Sequence, residues 1–136
     1  MSVSRHLMHA VAALALGSAA LVPVQGLAAG AVAVGQTRSG DSYGVAWSYD
    51  SYNEAKQVAM SDCRRSKYGA PACRIVSTFH DECAAFAFAP ENRNGFGWAV
   101  ARTSAAAQAG ALAMCRASSD DPKRSGCQIH RTACDR

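Results

Sequence analysis

Two stretches of the chain alternate large and small residues. Tyr43, Val45, Trp47 and Tyr49 are separated by Gly44, Ala46 and Ser48, and Phe96, Trp98 and Val100 by Gly97, Ala99 and Ala101. A period of two belongs to a β-strand, whose successive side chains point to opposite faces. Each stretch is therefore read as a strand with one large-residue face and one small-residue face. After the first, Ser51 and Glu54 form a capping box, which satisfies free amide donors where a helix begins. That helix ends near Cys63-Arg64. After the second, Thr103 or Ser104 can cap a nearly all-small helix, Ala105 to Met114. Gly110 in its middle costs about 1 kcal/mol relative to alanine. Small residues let a helix axis lie close to its neighbour, so a helix packed tightly on a sheet is expected.

The same order of elements occurs twice. Trp47 precedes Cys63 by 16 positions and Trp98 precedes Cys115 by 17. After each helix come a polar loop, a second cysteine (Cys73, Cys127), a short strand-like run (Arg74-Ile-Val, Gln128-Ile-His) and a third cysteine (Cys83, Cys134). Upstream, Ala31-Val-Ala-Val34 matches Ala85-Phe-Ala-Phe88, and Trp47 and Trp98 take equivalent places. The spacing predicts two pseudo-symmetric β-β-α-β units of about fifty residues that share a core. Repeat one covers about 30–82 and repeat two about 83–136. The expected fold class is α+β: a single domain over 29–136, with six strands in one mostly antiparallel sheet and two helices.

Composition changes this picture in one respect. Of the 136 residues, 29 are alanine, and beyond residue 28 only 17 are Val, Leu, Ile, Met, Phe or Trp. Such a thin supply of core residues calls for another source of stability. Six cysteines provide it, provided the compartment is oxidising. The N-terminus supports that condition: a weakly basic start, an almost unbroken apolar run from Leu7 to Val22, Pro23, and small residues at Gly26-Leu-Ala-Ala29. This is the layout of a secretory signal peptide over residues 1–28, cleaved after Ala28 or Ala29. The run is too short to serve as a membrane span. The expected localisation is periplasmic or secreted, with three disulfides and no membrane span after cleavage. Cysteine intervals of 10, 10, 32, 12 and 7 residues do not fit the paired spacing of zinc sites.

Six cysteines allow 15 pairings. Among those unchanged by a two-fold swap of Cys63/Cys115, Cys73/Cys127 and Cys83/Cys134, we favour Cys63–Cys73, Cys115–Cys127 and Cys83–Cys134. The first two close the loop from each helix end to the next strand. The third is expected to link equivalent positions across the pseudo-axis. Each contributes roughly 2–4 kcal/mol.

Gly-x-x-Trp, an alanine-rich helix ending in Cys-Arg, Cys-x-Ile/Val, and the run through Phe79 to Cys83-Ala-Ala-Phe-Ala together resemble the secreted bacterial proteins of the domain of unknown function 4189 family. The resemblance covers about residues 30–134. It implies an exported, disulfide-bonded α+β domain found in bacteria, and it supplies no reaction or catalytic residue. In the second copy the Arg116–Cys127 loop is longer and the Cys127–Cys134 interval shorter.

The charge is modest, +4 for the chain, and no block of like charge exceeds two residues, so a nucleic-acid partner is not expected. His80-Asp81-Glu82 is the densest titratable cluster. Imidazole and carboxylates can ligate a metal or carry protons, but a hairpin turn between Phe79 and Cys83 accounts for the same polarity. With all thiols bonded and no Gly-x-Ser-x-Gly elbow, no nucleophile is visible, and the sequence calls for no cofactor or metal. Basic residues gather after both helices: Arg64, Arg65, Lys67 and Arg74, then Arg116, Lys123, Arg124 and Arg131. Cations are favoured at helix C-termini, and they also offer a bipartite surface to an acidic partner. Trp47 and Trp98 are assigned to the core, whereas tyrosines tolerate water at their hydroxyls. The candidate binding surface is Tyr43, Tyr49, Tyr52, Arg64, Arg65 and Arg116. The favoured function is an exported protein-binding module of effector, inhibitor or immunity type, without catalytic activity, acting on a protein partner in the envelope or a target cell. The alternative is a small envelope hydrolase using His80 or His130 with a nearby carboxylate.

Overall fold

The computed structural model describes residues 28–66, 71–90 and 93–135. The expected signal peptide therefore lies, apart from Ala28, outside the described residues, as does Lys67. The elements run β1 (Ala29–Thr37), β2 (Gly40–Tyr49), α1 (Tyr52–Arg65), β3 (Arg74–Phe79), β4 (Cys83–Phe88), β5 (Phe96–Ala101), α2 (Ser104–Ser118) and β6 (Gln128–Cys134). This is β-β-α-β written twice. Ser51 caps α1 by accepting from the Glu54 amide at 3.2 Å, and Thr103 caps α2 by accepting from the Ala106 amide at 3.2 Å.

The strands form two antiparallel three-stranded sheets, ordered β2-β1-β3 and β5-β4-β6, rather than the one sheet expected. The reason lies in where the large faces go. Both helices cover small-residue faces: α1 lays Ala55, Ala59 and Cys63 on Ala31, Ala33 and Ala46. Likewise α2 lays Ala107, Ala111 and Cys115 on Cys83, Ala85 and Ala87. A single six-stranded sheet would leave its other face, bearing the valines and phenylalanines, open to water. Divided in two, the sheets turn those faces on each other, and Val32, Val34 and Val45 of one half meet Phe86, Phe96 and Ala133 of the other. The molecule is a four-layer sandwich, with helices outside and large residues at the centre. The central strands β1 and β4 are covered on both sides and almost wholly buried.

Glycine fixes the distance between helix and sheet. A Cβ on Gly44 would overlap the Ala59 carbonyl and stand 2.6 Å from the Cys63 amide; one on Gly97 would overlap the Ala111 carbonyl and the Cys115 amide. Gly44 and Gly97 are thus equivalent, and this sets the alignment of the halves. Under it Trp47 corresponds to Val100 and Trp98 to Val45, so the tryptophans are not equivalent but displaced by two residues. A shift of two keeps each side chain on its face, and for that reason the sequence pattern conceals it. The extra residue of β2 is taken up by a bulge opposite Gly30, with Ser48 left-handed at φ 61°. Both tryptophans pack against the central cluster but are only half-buried.

The disulfides are Cys63–Cys73, Cys115–Cys127 and Cys83–Cys134, with no free cysteine. The first two tie each helix end to the following strand. The third does not cross the pseudo-axis. Cys83 and Cys134 are ladder partners of β4 and β6, both in the second half, because Cys83 opens the second unit instead of closing the first. Its counterpart in the first half is Ala29 with His80. Three disulfides fit an oxidising, extracytoplasmic compartment. Among the described residues no helix is long and apolar enough to cross a membrane.

Candidate functional site

Two places gather side chains with chemistry. The first lies where β3 leaves one sheet and β4 enters the other. The connection His80-Asp81-Glu82 is a crossing between sheets, not the hairpin expected, with Asp81 left-handed at φ 53°. With Tyr52, Thr78, Phe79 and Arg102 these residues line an open cleft of about 650 Å³. His80 donates from Nδ1 to the Ala28 carbonyl at 2.9 Å, and its Nε2 lies 3.3 Å from Asp81 Oδ2. The carbonyl contact first, then the charges of Asp81 and Asp135, hold the imidazole above its ordinary pKa. Both ring nitrogens face acceptors, so the ring is set up to keep its protons rather than to take one from a hydroxyl.

Behind this connection Asp135 is fully buried. Its amide donates to the Glu82 carbonyl at 2.8 Å, and its Oδ1 accepts from the Ser48 amide at 3.2 Å, at the β2 bulge. Among the described residues Oδ2 has no hydrogen-bond partner. Burial pushes this carboxyl up, against the pull of the Ser48 amide and His80. Sequence reading gave Asp135 no role. Its only signal there is a place one residue beyond Cys134, the position that Asp81 holds beyond His80 in the first half.

The second place is the seam between edge strands β2 and β6, where the two sheets approach each other. Tyr43 stacks on Phe86 at 4.0 Å between centroids and bonds its hydroxyl to His130 Nδ1 at 2.8 Å. His130 stands edge-on to Tyr43 and Phe88, at 5.9 and 5.5 Å. The Arg131 guanidinium lies 5.1 Å from the Trp47 ring centroid, with its charge felt at Tyr43. Burial, the larger effect, raises the Tyr43 pKa, and Arg131 lowers it. His130 and Arg131 are exposed; Tyr43, Trp47 and Phe88 are half-buried.

The residues named from sequence as one binding surface are therefore dispersed. Tyr43 is in the seam, Tyr52 lines the cleft, and Tyr49 pairs with Ala29 at the end of β2. Arg64 and Arg65 end α1, Arg65 paired with Asp62 at 3.0 Å, and Arg116 ends α2 on the opposite outer layer. The two helix-end basic groups do not form one bipartite patch. The seam instead joins residues that sequence reading placed in separate groups: Tyr43, Trp47, His130 and Arg131. Among the described residues there is no group of three or more His, Cys, Asp or Glu side chains placed to hold a metal ion.

A family model described as Domain of unknown function (DUF4189) matches residues 29–134. No curated protein and no solved structure matches the chain.

Proposed function

The chain belongs to that family of domains of unknown function, and from this premise we propose that it is an exported protein-binding module, without catalytic activity of its own, that acts in the periplasm or after secretion. The observation that carries the reading is the seam. Aromatic rings and a cation are presented at the surface of a small sandwich in which every thiol is bonded. A preorganised surface binds without an ordering cost, and Tyr, Trp and Arg are the residues that most often dominate binding energy. The signal-peptide layout of residues 1–28 supports export.

The test uses the oxidised protein as bait against envelope extract and against lysate of neighbouring or host cells, with a reduced and alkylated control. One partner retained only by the oxidised form is the expected result. The hydrolase reading keeps one observation in its favour, the His80–Asp81 pair in an open cleft. No retained partner, together with an activity abolished by His80→Ala, would replace the binding module with that enzyme.

A further inference from the structure

The internal duplication provides a control for the seam. β2 and β6 meet as edge strands of the two sheets, and β5 and β3 are the corresponding strands of the other half. Under the alignment set by Gly44 and Gly97, the counterparts of Tyr43 and Trp47 are Phe96 and Val100, and the matching strand registers of β3 and β6 make Val76 and Ser77 those of His130 and Arg131. His130 and Val76 occupy the same bulge: the β4–β6 register shifts between Phe86 and Ala87, as the β1–β3 register shifts between Val32 and Ala33. At the corresponding positions of β5 and β3 the side chains are apolar or uncharged, and Phe96, Val76 and Val100 pack on the central cluster. The fold therefore does not need a tyrosine, tryptophan, histidine and arginine at these positions. Bulges are used elsewhere to re-aim a side chain, and this one directs His130 outward in one half only.

We infer that the β2–β6 seam, through Arg131 and His130 set among Tyr43, Trp47 and Phe88, is the docking site for an acidic segment of a partner protein. The inference rests on the binding-module reading and names its surface. The Tyr43 hydroxyl lies 2.8 Å from His130 Nδ1, and the charge of Arg131 beside it favours the phenolate form of Tyr43. A guanidinium over an indole face keeps N–H groups available for a carboxylate. The exposed guanidinium thus suits a carboxylate, and the half-buried rings beside it suit an adjacent apolar side chain. One arginine and one imidazole make too little charge to hold a polyanion by electrostatics alone.

The probe is a short peptide of alternating glutamate and phenylalanine, titrated into the oxidised protein and followed by NMR at the Trp47 indole and the His130 ring. A glutamine analogue and dextran sulfate serve as controls. The expected result is movement of both signals by the glutamate peptide, with binding by the glutamine analogue about tenfold weaker, the scale of one charge-assisted contact. The double variant H130V/R131S copies Val76 and Ser77. It should keep its melting midpoint and bind the peptide about tenfold more weakly. Shifts that map elsewhere, equal binding of the glutamine analogue, tighter binding of dextran sulfate, or unchanged affinity in H130V/R131S would each overturn the assignment. So would unfolding of H130V/R131S, because the seam would then be structural. A partner captured equally by wild type and H130V/R131S would leave the binding module standing and remove the seam from it.

Discussion

Gly44 lies under the Ala59 carbonyl of its helix as Gly97 lies under the Ala111 carbonyl of the other, so one close approach is built twice into the chain. Neither helix can move outward without opening its alanine shell. Gly44→Ala and Gly97→Ala should each destabilise the protein by about 3 kcal/mol, the upper end of overpacking costs, measured by denaturant unfolding. Gly110→Ala faces a softer obstacle. Its Cβ would meet the Ala99 methyl at 2.7 Å, which should offset the gain of about 1 kcal/mol in helix propensity.

Gly30 and Phe79 are cross-strand partners in the first half, where the second half has Ala84 and Ala133. The Phe79 ring occupies the space that a Gly30 Cβ would need. Phe79→Ala should cost about 3–5 kcal/mol, and Gly30→Ala about 1–3 kcal/mol by overpacking. The double variant recreates the pair of the second half. It should be more stable than the sum of the single costs by at least about 1 kcal/mol, read from a double-mutant cycle.

The pH dependence follows from His80 and Asp135. The His80 pKa is raised above 6.5, so its contribution is intact below that value and lost as pH rises through the folded pKa. The Asp135 pKa is raised above 3.8, so its protonated form is favoured in the fold and stability again falls as pH rises through the folded pKa. Denaturation midpoints measured from pH 4 to pH 8 should show His80→Ala flattening the upper part of the curve and Asp135→Asn the lower part.

The disulfides should differ in worth with the length of chain they close. Cys83–Cys134 spans 51 residues and Cys63–Cys73 spans 10. Chain-entropy estimates give about 4 and about 2.7 kcal/mol. Paired alanine variants compared by thermal melting should rank in that order, with helix α1 retained in both.

The unit structure was legible because each signal was local. The period of two in β2 and β5, the caps at Ser51 and Thr103, and the small-residue helices each declare themselves within a few positions. The division into two sheets was not legible, because alternation states which residues share a face without stating what that face meets. The displacement of Trp47 from Trp98 escaped for a related reason: the aromatic residues matched by eye, whereas the glycines beneath the helices set the true register. The pairing of Cys83 with Cys134 was legible but not their relationship: the spacing of Cys83 fits the end of one unit as well as the start of the next, and the two are ladder partners rather than equivalent positions. Of the candidate site, Tyr43, Trp47, His130 and Arg131 were each visible as chemistry. Their meeting was not, since β2 and β6 are about eighty residues apart and touch only across the seam.

Both sheets stay within their own halves, and so does every disulfide. Among the described residues the chain passes between halves once, through His80, Asp81 and Glu82. Opening the molecule therefore breaks side-chain contacts and leaves both frameworks intact, like a book whose covers turn about a three-residue spine. Such a motion bares Phe79, Phe86 and Phe96 together and parts Tyr43 from His130, while the amides of β1 and β4 keep their partners. The seam joins the two covers beside that spine, so a partner seated there would clasp them shut.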